Sequence, residues 1–119
     1  MGKVSPKTAM NRRIKELKAI FAGVDEDKMK LVMPSIQQAA KMEQYIESLG
    51  AQLDAVGFVE EYQNGENQYG KKESTESKAY STMVKNYNAV VRTLLSCLPE
   101  NVQPQVEDAF DQFLRERRP

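Results

Sequence analysis

Lys7, Asn11, Arg12, Arg13, Lys15 and Lys18 fall within one stretch of helical pattern near the start of the chain, and their shared chemistry is nucleic-acid contact. On a wheel of about 100° per residue, Thr8, Asn11, Arg12 and Lys15 lie opposite the apolar stripe Met10, Ile14, Leu17 and Phe21. Lys7, Lys18 and Arg13 flank that polar side. Arg and Lys neutralise phosphates or reach guanine edges, and Asn can read adenine. A solvated helix face would use the same residue types. No clear helix-turn-helix turn stands between Ala22 and Lys28.

A second basic set, Lys78, Lys85 and Arg92, recurs at spacings of seven and therefore forms one stripe on a helix. Glu43, Glu47 and Asp54 form an acidic counterpart earlier in the chain. The plainer expectation is that the two stripes face each other between antiparallel helices or adjacent copies, as exposed ion pairs worth about 0 to 1 kcal/mol each. The sharper one is that the basic stripe lines a channel admitting duplex DNA.

Catalytic chemistry has little to work with. The chain has no His, so the commonest general base and metal ligand are missing, and one Cys, Cys97, among Leu95 and Leu98, reads as a small core residue. Asp25, Glu26 and Asp27 suit the positive end of a helix dipole better than a cation. Gly65 to Lys72 has glycines and lysines but neither the spacing nor the hydroxyl of a phosphate-binding loop. The expectation is a protein that is not an enzyme, with no catalytic residue, metal or cofactor. Tyr62 and Tyr69 could stack on bases or anchor a loop.

These groups must be positioned by helices. Ser5-Pro6 is a helix start, and Gly23 a stop. A second helix begins near Asp25 and meets Pro34, which predicts a kink or a break into a short leading and a long following helix. Ala39, Met42, Ile46, Leu49, Leu53 and Val56 then recur at steps of three and four. Tyr80, Val84, Tyr87, Val91, Leu94 and Leu98 do the same in a helix starting near Ser74 or Thr75. Between these arms, residues 57–70 have no helical period and carry turn formers at Asn64-Gly65 and Tyr69-Gly70, which reads as an ordered loop or a short hairpin. Pro99 closes the third helix. A last one follows from Pro104, with Val102, Val106, Phe110, Phe113 and Leu114 as its apolar stripe and a frayed tail from Arg115. The organisation expected is a basic helix in residues 1–24, a helical hairpin core in 25–98 with a loop at 57–73, and a C-terminal helix and tail in 99–119.

A chain of 119 residues, 40% apolar and without Trp, makes a thin helical core that gains from association. The seam residues Ile46, Leu49, Leu53, Tyr80, Val84, Tyr87, Val91 and Leu94 are therefore expected to join copies into a ring-like homo-oligomer. Net charge is zero from 17 basic and 17 acidic side chains, but residues 1–22 carry six basic and one acidic while 25–66 carry three and nine. No apolar run approaches the roughly 20 residues of a membrane span, so no membrane partner is expected.

From Leu49-Gly50 and Leu53 through Gly57, then Tyr62-Gln63-Asn64-Gly65, then a helix ending Leu94-Leu95-Ser96-Cys97-Leu98-Pro99, the chain resembles the small subunit of phage DNA-packaging terminases. It departs from the family pattern at Lys71 to Thr75, where no proline stands, and at Ser96 to Pro99, where a Gly-containing turn is usual. The resemblance implies an all-α ring that binds double-stranded viral DNA and hands it to the large terminase subunit, which supplies ATP hydrolysis. It also implies the cytoplasm of an infected bacterial host. Two other classes share the helical pattern: a structural head-completion or adaptor protein, and a dimeric helical transcription regulator.

Overall fold

Three of the helices begin where a short polar side chain replaces the missing acceptor of the first turn. In the computed structural model, which describes residues 5–63, 65, 69–99 and 103–117, these helices are α1 (Pro6–Ile20), α2 (Glu26–Val56) and α3 (Thr75–Leu95). A fourth, α4 (Gln103–Arg117), follows. Ser5 Oγ accepts from the Thr8 amide at 3.2 Å, Asp25 from Lys28 at 2.8 Å, and Ser74 from Ser77 at 3.1 Å. Asn64, Val102 and the last two residues lie outside the described part of the chain.

Pro34 does not break the second helix. α2 runs unbroken for 31 residues, although a proline removes one backbone bond and crowds the carbonyl four residues earlier, at a cost of about 3 kcal/mol. Val32 and Ile36, 2% and 0% exposed, pin the helix to the core on either side.

Residues 57–70, expected as an ordered loop or a short hairpin within a loop at 57–73, include one strand of a pair whose partner runs on to Glu73. Strands β1 (Val59–Gln63) and β2 (Tyr69–Glu73) pair antiparallel, with Glu60 opposite Lys72, Glu61 opposite Lys71, and Tyr62 opposite Gly70. The Tyr62 ring lies over Gly70, where an added Cβ would sit 2.7 Å from it. Lys72 Nζ is 3.3 Å from Glu60 Oε1. Gly57 ends α2 at φ +84°, a conformation that side chains other than glycine rarely adopt.

Ser74 ties this hairpin to the helices. Its amide donates to the Phe58 carbonyl at 2.8 Å and its hydroxyl to the Gly57 carbonyl at 2.7 Å, while the same oxygen caps α3. Ser77 in turn donates to Glu73 at 2.8 Å. Replacing Ser74 by Ala removes a cap and a nearly buried hydrogen bond, and is expected to cost about 1–3 kcal/mol. Hydrogen exchange would read this first as faster exchange at the Ser74 and Ser77 amides.

The apolar seams of α2 and α3 close on each other and are then covered by the outer helices. Leu17 and Phe21 from α1 and its following turn share one cluster with Ile36, Ala39, Ala40, Ile46, Tyr87, Leu94, Val106 and Phe110. The basic helix, the hairpin core and the C-terminal helix thus contribute to one core. This changes the reading of the seam. Ile46, Leu53, Tyr87 and Leu94 are at most 2% exposed and Val91 is 7%, while Tyr80 and Val84 are half-buried and pack against the same cluster. Leu49 is half-buried as well. Side chains expected to join copies are largely covered within one chain. Among the described residues, the large apolar groups left open are Leu31, Tyr45, Val56, Phe58, Val59 and Tyr62. No helix among the described residues is long and apolar enough to cross a membrane.

Candidate nucleic-acid interface

The cap at Ser5 and the proline at the first helical position fix the start of α1, and with it the rotation of every side chain that follows. Leu17 is fully buried, and Met10, Ile14 and Ile20 are half-buried against the core. Away from the core lie Asn11, Arg12 and Lys15, flanked by Lys7 and Lys18, all exposed. The ion pairs of the described residues take up none of these four cations. From Lys7 to Lys18 the helix rises about 16 Å at 1.5 Å per residue, so the row can follow several phosphates or lie in a major groove about 12 Å wide. Thr8 is taken up by the cap, its hydroxyl accepting from Ser5 at 2.8 Å.

Arg13 is not part of this face. Its guanidinium donates to Glu43 Oε1 at 2.7 Å and Oε2 at 3.2 Å, and to Glu16 at 3.1 Å. Glu43 is 5% exposed and also accepts from the Tyr87 hydroxyl at 2.7 Å. Desolvation disfavours the Arg13 charge, but its bonds to Glu43 and the charge there outweigh that, and its pKa is raised. Burial first, and the Glu43 carboxylate second, push the Tyr87 phenol far above its usual range, so it stays a donor. The Tyr87 ring meets Phe110 edge-on at 6.3 Å and Phe113 at 5.7 Å. This network joins all four helices, and among the described residues no buried side-chain nitrogen or oxygen lacks a partner.

The acidic stripe therefore divides. Glu43 belongs to the core, while Glu47 and Asp54 are exposed. The signal was present in the spacing: Glu43 stands four residues after Ala39 and three before Ile46, on the seam itself. Arg13 likewise stands four residues before Leu17. Lys78, Lys85 and Arg92 are exposed on α3, and no ion pair among the described residues joins them to Glu43 or Asp54. The facing ion pairs expected between α2 and α3 are thus not formed with those two acids.

A shallow groove runs beside the basic face, lined by Met10, Asn11 and Ile14 of α1 with Gln37, Gln38 and Lys41 of α2. It places Asn11 at the border between the cationic row and an apolar floor. Asp25, Glu26 and Asp27 serve the start of α2, where Asp25 is the cap. No family model, curated protein or solved structure compared with the chain matches it.

Proposed function

We propose that this chain is the small subunit of a viral DNA-packaging terminase: a ring-forming homo-oligomer that binds double-stranded DNA and presents it to the large motor subunit in the infected bacterial cytoplasm. It performs no catalysis of its own. The observation that carries the reading is the division of α1 into an apolar face committed to the core and a cationic face with Lys7, Asn11, Arg12, Lys15 and Lys18 exposed. Such a face has no packing duty within the chain, and phosphate neutralisation is what its chemistry offers. The resemblance of residues 49–65 and 94–99 to the terminase family adds the biological setting.

Titration with duplex DNA at several salt concentrations tests it. Replacing Arg12 and Lys15 by Ala is expected to weaken binding and to reduce the salt slope by about two, roughly 0.9 for each phosphate that is no longer neutralised. Helical content should not change, because neither side chain packs. Wild-type titration by the double variant would move the DNA surface to Lys78, Lys85 and Arg92. No binding by the unaltered chain at low salt would favour a structural adaptor, and a species no larger than a dimer would favour a regulator.

A further inference from the structure

Two shallow grooves adjoin on α2. The one beside the cationic row, between α1 and α2, encloses about 440 Å³, and a second, between α2 and α3, encloses about 390 Å³. Gln38 and Lys41 line both, and each volume falls in the ~300–1,000 Å³ range of small-ligand sites. Met10 and Ile14 give the first groove its apolar part, and Met42, Met83 and Val90 the second. Four side-chain amides also line them: Asn11, Gln37, Gln38 and Asn86, all exposed and hydrogen-bonded to no described residue. Gln44, by contrast, donates its amide to the Pro6 carbonyl. Tyr45 is 44% exposed at the second groove, with Lys41 Nζ 5.8 Å from its ring centre.

These groups suit one kind of ligand. Thioethers and a tyrosine ring favour contact with a flat aromatic group. A carboxamide sets a donor beside an acceptor, which matches N7 and the N6 amino group of adenine. Lys41 offers a cation to the phosphate joined to such a base. Position narrows the source: Asn11 lines the groove and also stands in the row of Lys7, Arg12, Lys15 and Lys18, so a strand whose phosphates follow that row passes the groove. A paired adenine stays stacked between its neighbours and cannot lay its ring in a groove. We propose that this groove takes one unpaired adenine of a DNA strand held by α1, its ring against the methionines and Tyr45 and its edge on the amides. The inference rests on the DNA binding proposed above. Drawing a base out of a duplex costs pairing and stacking, so DNA that already carries the unpaired base binds tightest.

The test compares three duplexes of otherwise identical sequence: one fully paired, one with a single unpaired adenine and one with a single unpaired thymine. By fluorescence anisotropy the full chain is expected to bind the unpaired adenine about tenfold more tightly than either of the others. In ¹⁵N-labelled protein the side-chain amide signals of Gln37, Gln38 and Asn86 should shift with that duplex and not with the paired one. Deoxyadenosine monophosphate, which cannot span the row, should leave them in place at the concentration that saturates the duplex. The variant Tyr45→Ala/Asn86→Ala is expected to lose the preference while keeping its helical content and its affinity for paired DNA, because both side chains are exposed. Equal affinity for the three duplexes, thymine bound as tightly as adenine, a preference that survives the variant, or a mononucleotide that shifts the amides as well as the duplex does would each overturn the proposal. Loss of the preference alone, with paired DNA still bound, would leave the DNA reading standing, whereas no binding of any duplex at low salt would remove both.

Discussion

Replacing Glu43 with Ala is expected to destabilise the chain by about 3–5 kcal/mol, because it leaves a partly buried guanidinium and a buried phenol without their common acceptor. Total stability of a domain this size is of order 5–15 kcal/mol, so the variant would lose a large share of it. Urea unfolding read by circular dichroism measures the loss as a lowered midpoint. Arg13→Ala in the same background should cost less than it does in wild type, since the charge that needed Arg13 is then gone, and the difference is the coupling of the pair. Tyr87→Phe keeps the ring against Phe110 and Phe113 and removes one charge-assisted bond, at about 1.5–3 kcal/mol. Asp54→Ala, at an exposed site of the same acidic spacing, should stay within about 0.5 kcal/mol.

An Asp at Ile46 is expected to unfold the chain rather than to separate folded copies. Ile46 is fully buried in the common cluster, and a carboxylate placed there has no partner among its apolar neighbours, so the loss should exceed about 4 kcal/mol. The measurement is a urea titration at protein concentrations too low for assembly. A dilute-state midpoint equal to wild type, with no larger species forming on concentration, would instead assign the seam to the interface between copies.

How much the sequence disclosed follows from the range of each interaction. Helix starts at Ser5, Asp25 and Ser74 were legible because a cap is a local bond spanning three residues. The mixed loop at 57–70 was legible as a departure from helical period, and its turn formers allowed a hairpin. Pro34 reads as a kink or a break because the local penalty is visible in sequence, whereas the packing of Val32 and Ile36, which keeps the helix continuous, is not. Glu43 reads with the exposed acids because charge suggests solvent; its spacing sets it on the seam, but its partners Arg13 and Tyr87 converge from positions 30 and 44 residues away. The basic face of α1 needed no such partner, and its exposed cations stand as the wheel predicts. Heptad spacing alone identifies a buried face without saying whether the cover comes from the same chain.

Ser74 has one more consequence. Its three hydrogen bonds hold the base of the strand pair to the end of α2 and the start of α3 at once, so the hairpin leaves the helices at a fixed angle. The strand pair is thereby a fixed projection of the helical body and not a free arm.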